Sequence, residues 1–181
     1  NLSFSSPLTA TTYYRLLVTE TNSGSQAYSS SATVTVYPQL VAGSISPSSQ
    51  TINYNTMPAA LTLSGVTGGN GTYYYQWQRS PDNVTWTPIT GANSTTYTPG
   101  NLAATTYLNV SVTSIQTVFS SSATVGVNPE VFPGAISPSN IAILSGNSPG
   151  LISGDVSSGG ACGGSYTYQW YNSSGSIGGA T

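Results

Sequence analysis

The chain has 181 residues with two Arg, four Asp or Glu, no Lys and no His, for a formal net charge of −2. This excludes Ser-His-Asp and Cys-His nucleophiles and an imidazole zinc site, and two Arg make no basic surface for nucleic acid. An aromatic fraction of 10% at near-zero net charge is equally unlike a disordered chain, and no run of about 18 apolar residues is present to span a membrane.

Residues 1–40 hold Ala10-Thr11-Thr12-Tyr13 and then Ser29-Ser30-Ser31-Ala32-Thr33-Val34-Thr35-Val36, followed by a Pro-bearing stretch, Tyr37–Ala42, that reads as a linker. Residues 41–131 alternate apolar and polar positions in short runs, which predicts strands near Gln50–Tyr54, Ala60–Val66, Tyr73–Ser80, Thr85–Ile89, Thr95–Thr98, Thr105–Ser114 and Ser121–Val127. Gly68-Gly69-Asn70-Gly71, Pro81-Asp82-Asn83 and Pro99-Gly100-Asn101 supply the turns between them. A second linker is expected at Asn128–Pro133, and residues 132–181 then repeat the opening of the central segment. No stretch has a helical apolar period between caps.

The repetition organises the whole chain. Ser29–Val36 recurs as Ser120–Val127, Gly43-Ser44-Ile45-Ser46-Pro47 as Gly134-Ala135-Ile136-Ser137-Pro138, Tyr75-Gln76-Trp77 as Tyr168-Gln169-Trp170, and Ala10–Tyr13 as Ala104–Tyr107. The spacing is about 91 residues throughout. The expected layout is the second half of a repeat at 1–40, one complete repeat at 41–131, and the first half of another at 132–181. Ile177–Thr181 followed by Asn1–Phe4 aligns without a gap on Ile89–Tyr97. Two explanations follow. The chain is one period of a continuous array, or separate chains complete each other head to tail. Seven short strands in about 90 residues describe an all-β fold, an antiparallel β-sandwich.

Tyr75-Gln76-Trp77-Gln78 resembles the strand of an immunoglobulin-like domain that carries the buried Trp, and Thr105-Thr106-Tyr107 is similar to the start of the later strand that opens with Tyr. The Cys pair of that family is absent, and Leu63 and Val110 are expected to fill its space. The stretch Tyr73–Thr113, with Trp86, Tyr97, Pro99 and Gly100, further resembles the tandem Ig-like repeats of large secreted surface proteins of Bacteroidota, often exported by type IX secretion. The resemblance implies tandem Ig-like domains in an extracellular, cell-surface adhesin or filament whose partners are neighbouring copies of the same repeat, with a carbohydrate or cell-surface receptor as a further expected partner.

On this reading Trp77, Trp170, Tyr13, Tyr107, Leu63 and Val110 are core residues, because mid-strand aromatics and aliphatics pack between sheets. Trp86, Tyr73 and Tyr74 are the candidates for stacking on a carbohydrate, since at least one ring of Tyr73-Tyr74-Tyr75 must face outward. Arg79 and Asp82 flank a turn and are expected to form a local pair. The lone Cys162 is expected to be a small buried or incidental thiol. No catalytic residue, metal ligand or cofactor is expected: the four carboxylates are scattered, and the glycine-rich loops precede strands, not helices. The expected function is a structural segment of a surface fibre, stalk or adhesin. The alternative is a carbohydrate-binding module of a large secreted protein.

Overall fold

A strand turns successive side chains to opposite faces, so an alternating sequence buries every second residue once another sheet covers that face. Thr106–Thr113 illustrates this: Leu108, Val110 and Val112 turn to one face and are all buried. The computed structural model describes residues 2–161 and 165–179, so Cys162 and the junction at Ala180, Thr181 and Asn1 lie outside the described residues. Every regular element among them is a strand, and no helix is long and apolar enough to cross a membrane.

The N-terminal segment holds β1 (Thr12–Tyr14), β2 (Leu17–Thr19), β3 (Gln26–Tyr28) and β4 (Ala32–Val34), paired as β1 with β4 and β2 with β3. The central segment holds β5 (Ser44–Ser46), β6 (Ser49–Ile52), β7 (Leu61–Ser64), β8 (Tyr74–Ser80), β9 (Thr87–Pro88), β10 (Thr96–Tyr97), β11 (Thr106–Thr113), β12 (Thr117–Phe119) and β13 (Ala123–Val127). The C-terminal segment holds β14 (Ile136–Ser137), β15 (Ser153–Gly154), β16 (Tyr171–Asn172) and β17 (Gly175–Ser176), again in two hairpin-like pairs. No ladder among the described residues joins the N-terminal segment to the C-terminal one.

The central segment is a β-sandwich. One sheet runs β10-β7-β5 and the other β6-β13-β11-β8-β9, with β12 also on β11. All pairings are antiparallel except β6 on β13, which is parallel from Thr124 opposite Ser49 to Val127 opposite Ile52. The longest ladder joins β8 to β11 and sets Trp77 opposite Val110. Between the sheets, Ile45, Leu61, Leu63, Trp77, Leu108, Val110, Val112 and Val125 form one buried cluster. Trp77 is 0% exposed, donates its indole N–H to the Ser94 carbonyl at 2.8 Å, and lies 5.6 Å from the Tyr97 ring. Pro88 sits on the edge strand β9, where its missing N–H interrupts no ladder.

The structure departs from the sequence expectation at several places, among them the second linker, Asn128–Pro133, where Asn128 donates to Ile52, Pro129 accepts from Gly160 and Phe132 pairs with Ser158. Tyr37–Ala42 is not a free linker: Leu40 and Ala42 are in the core cluster, and Val41 exchanges backbone hydrogen bonds with Thr67 at 2.9 and 3.2 Å. The strand expected at Thr85–Ile89 shrinks to β9 because the preceding turn reaches Thr85. Tyr107 is not a core residue. It stands opposite Ser80 and Thr124, on the other face from Leu108, and is half-buried outside the cluster. Tyr13 is likewise turned away from the apolar side of β1 and is 71% exposed.

Between β12 and β13 the chain bulges at Ser120, which is buried. Its Oγ accepts the Val110 N–H at 3.0 Å while its own N–H donates to the Val110 carbonyl at 2.9 Å. Ser120→Ala strands a buried N–H, so it should cost about 1–3 kcal/mol. Urea unfolding of a 37–129 fragment is the measurement, and a midpoint within error of wild type would show that water replaces the hydroxyl.

Candidate functional site

The side chains proposed to stack on a sugar do not share a platform. Tyr73 packs against the core and donates its hydroxyl to the Gly68 carbonyl at 2.8 Å, so its ring is committed inward. Tyr74 is 70% exposed at the start of β8, opposite Thr113. Trp86 is half-buried just before Thr87, which pairs with Arg79 at the far end of the same strand. Five or six residues of extended chain, about 20 Å, separate Tyr74 from Trp86 along β8. The outer face of this sheet instead presents Tyr74, Gln76, Gln78, Asn109 and Phe119 around one oddity. Asn109 is only 7% exposed, yet among the described residues its Oδ1 has no hydrogen-bond partner. Sequence inspection had no signal for it, since the burial comes from neighbours on adjoining strands.

The turn at 81–85 is built by Asp82. Its Oδ1 accepts from the Thr85 N–H at 2.8 Å, the Val84 N–H at 2.9 Å and the Ser80 hydroxyl at 2.8 Å, and its Oδ2 accepts from the Thr85 hydroxyl. Both oxygens therefore serve the turn, in place of the expected pairing with Arg79. These donors, led by Thr85 and Val84, hold the Asp82 carboxyl well below the usual carboxylate range. Glu20 is lowered in the same direction by Ser23 and Asn22. A carboxyl whose folded pKa is depressed stabilises the fold above its unfolded pKa and loses that contribution as the pH falls through the folded pKa. Stability should hence be level from about pH 5 to 8, where no His titrates, and decline only below about pH 4. Thermal melts across pH 2 to 8 would check this, and a midpoint that moves between about pH 5 and 8 contradicts it.

Apolar side chains stand exposed in both of the chain's outer segments. In the N-terminal segment, Thr12, Tyr13 and Tyr14 pair with Val34, Thr33 and Ala32, the register in which Thr106, Tyr107 and Leu108 pair with Val125, Thr124 and Ala123. Leu17, Val18 and Thr19 pair with Tyr28, Ala27 and Gln26 as Ser111, Val112 and Thr113 pair with Phe119, Val118 and Thr117. Even the bulge matches, for the Leu16 N–H donates to Ser29 Oγ at 2.9 Å. The result is a copy of β11–β13 with its apolar side uncovered. Leu16 is 64% and Val18 55% exposed, where Val110 and Val112 are fully buried.

The C-terminal segment shows the other half of the arrangement. Phe132 and Ser158 exchange backbone hydrogen bonds as Val41 and Thr67 do, and the Gly160 N–H donates to Pro129 as that of Gly69 donates to Pro38. Tyr166 donates its hydroxyl to Gly159 at 2.7 Å, and Gln169 Nε2 donates to Trp170 and Ile177 as Gln76 Nε2 does to Trp77 and Ile89. Ile136 lies opposite Gly154 as Ile45 lies opposite Leu63. Here, however, Trp170 is only half-buried and borders an open cavity of about 600 Å³ lined also by Ile136, Ile152 and Tyr168. Leu63 and Val110, expected in the core, are buried in the central segment, whereas Trp170 is not enclosed.

Residues 41–129 match the model of a family described as Domain of unknown function (DUF8696). No curated protein matches the chain.

Proposed function

We propose that the chain is a structural segment of an extracellular surface fibre, stalk or adhesin, assembled from tandem Ig-like β-sandwich repeats of about 91 residues of the kind its sequence resembles in large secreted proteins of Bacteroidota. The observation that carries this reading is the recurrence of one set of contacts. The Gly69–Pro38 and Gly160–Pro129 bonds, the two tyrosine hydroxyls on Gly68 and Gly159, and the two serine bulges fall at matching repeat positions. The strand order supports an Ig-like domain, with β6 crossing to the second sheet beside β13. An exterior of uncharged Ser, Thr and Asn, with six ionisable Arg, Asp and Glu in total, suits a shaft that must tolerate changing salt and pH. No His, Lys or paired carboxylates supply catalysis in this reading.

An antibody raised against the chain, used for immunogold electron microscopy of the source cells, tests the proposal. Label along surface projections is expected; label confined to the cell interior overturns it. The alternative, a carbohydrate-binding face, is favoured by one observation, the Asn109 carbonyl, unpartnered among the described residues, on the same outer sheet face as the exposed Tyr74 four residues along β8. A glycan array probed with wild type and Tyr74→Ala separates the two. Binding lost with the ring supports the alternative, and no binding by either protein leaves the shaft.

A further inference from the structure

We propose that Asn70 is a self-modifying site, at which the backbone nitrogen of Gly71 closes on the Asn70 side chain, expels ammonia and leaves an aspartate or isoaspartate at position 70. Every group involved lies in the central sandwich, so the site is independent of any fibre. Asn70, Gly71 and Thr72 are exposed in the loop from β7 to β8. Asn70 Oδ1 accepts the Thr72 N–H at 2.9 Å, which folds the side chain back over the intervening Gly71 nitrogen. The Ser114 hydroxyl, just beyond β11, donates to the same oxygen at 2.7 Å and accepts the Asn70 N–H at 3.2 Å. Ser114 is itself held in place, its N–H donating to the Gln116 carbonyl at 2.8 Å. The electrophilic carbon, Asn70 Cγ, therefore has two donors on its oxygen. The nucleophile is open. A Cβ at Gly71 would meet nothing within 4 Å, and among the described residues the Gly71 N–H makes no hydrogen bond.

The chemistry needs only water besides these groups. The Gly71 N–H proton passes to water as its nitrogen bonds to Asn70 Cγ, an attack made intramolecular by the loop. Negative charge then builds on Oδ1, where the Ser114 and Thr72 donors already point, as they would in an oxyanion hole. The Cγ–Nδ2 bond breaks, the departing nitrogen takes a proton from water, and ammonia leaves behind a five-membered imide. Water opens that ring at either carbonyl, to aspartate or to isoaspartate. Asn172 supplies the contrast within the chain. Its Oδ1 accepts the Ser174 N–H at 2.8 Å, but Ser173 follows it, and a side chain shields the nitrogen that would attack. The product bears on the fold as well. Gly69, next to Asn70, donates to Pro38, so a main chain lengthened by one methylene in the isoaspartate form disturbs the loop that holds the entry stretch. Conversion also adds one negative charge to a chain of formal net charge −2.

The test is incubation of the full chain at mildly alkaline pH, followed by peptide mapping with mass spectrometry that separates aspartate from isoaspartate. A synthetic peptide of residues 66–76 reports the same chemistry without the fold. Conversion at position 70 should run faster in the folded chain than in the peptide, and far ahead of conversion at Asn172. Ser114→Ala should slow it by roughly tenfold, less than the loss of a donor in an enclosed site because water reaches the gap. Ser114→Thr keeps a hydroxyl and should restore the rate. Gly71→Ala should slow it at least as much as Ser114→Ala, since a β-carbon then guards the nitrogen. Thermal unfolding of each variant is the folding control. Should Ser114→Ala lose the central transition, the folded chain against the peptide decides. A folded chain that converts no faster than the peptide overturns the proposal, as does a folded Ser114→Ala or Gly71→Ala chain that converts at the wild-type rate.

Discussion

Replacing Trp77 with Ala in a 37–129 fragment is expected to lower its unfolding free energy by about 3–5 kcal/mol. The indole is fully buried at the middle of β8, where it touches both sheets through the shared cluster. Its removal leaves a cavity that flanking strands cannot collapse into, because the Trp77 backbone is held on both sides. The Trp77 N–H donates to Ala92, and its carbonyl accepts from Ile89. Loss of the side chain also leaves the Ser94 carbonyl without the indole donor. A domain of this size has about 5–10 kcal/mol in total, so the variant should be at or near unfolding at 37 °C. Differential scanning calorimetry would decide it. A melting temperature within a few degrees of wild type would place the ring outside the core. Tyr13→Ala in the full chain, by contrast, removes a ring that is mostly in water and should leave the central transition unmoved.

Gly68→Ala should be nearly as damaging, at about 3 kcal/mol, although it adds a single methyl group to a loop. Gly68 has φ of 81°, where a Cβ is strained, and a Cβ built there runs into the carbonyl oxygen of Gln39. The obstacle is backbone and cannot rotate away. Relief requires Pro38–Val41 to lift off the β7–β8 loop, which breaks the Gly69–Pro38 bond and the Val41–Thr67 pair together. Gly71, three residues on, is the control. Its φ is 86°, but a Cβ there meets nothing within 4 Å. Gly71→Ala should therefore cost about 1 kcal/mol, the conformational part alone. Equal losses in the two variants, read from urea midpoints, would show that the close approach to Gln39 has no energetic weight.

The sheet architecture was legible where alternation is strong and runs are long. Tyr73–Ser80 and Thr105–Ser114 were placed within a residue of β8 and β11, because Tyr75-Gln76-Trp77 and Leu108-Asn109-Val110-Ser111-Val112 leave no ambiguity about which face turns inward. Three residues of Ser-Ile-Ser around one apolar side chain give no periodic signal, so β5 went unread, as did β12 in the hairpin closed by Ser114-Ile115-Gln116. Tyr107 and Tyr13 were misplaced for a different reason. Aromatic size argued for the core while the pleat, with Leu108 next to Tyr107, already put the ring on the opposite side. At Tyr37–Ala42 the Pro38 signal of a linker competes with Leu40, whose side chain belongs to the cluster and ties the stretch to the domain. Of the candidate surfaces, the two apolar faces followed from the repeat itself. The buried Asn109 depends on neighbours that sequence distance conceals, whereas the Asp82 turn is local, its donors Ser80, Val84 and Thr85 all within three residues.

The parallel pairing of β6 with β13 has a mechanical consequence. After β5 in the first sheet the chain crosses to β6 in the second and leaves the sandwich just after β13, so a pull on residues 41 and 128 that has freed Val41 and β5 drags β6 and β13 in opposite directions along their own axes. The four residue pairs from Thr124–Ser49 to Val127–Ile52 then bear the load side by side and must yield together, whereas a hairpin such as β11–β12 peeled from its open end yields one pair at a time. Asn128 adds to the clamp by donating its backbone N–H to Ile52 and its side-chain amide to Asn53. The very next residue, Pro129, already accepts from Gly160 on the far side of the joint. With no slack residue between the two anchorages, tension on the chain passes from the central sandwich into the contacts of residues 129–160 without first paying out loose chain.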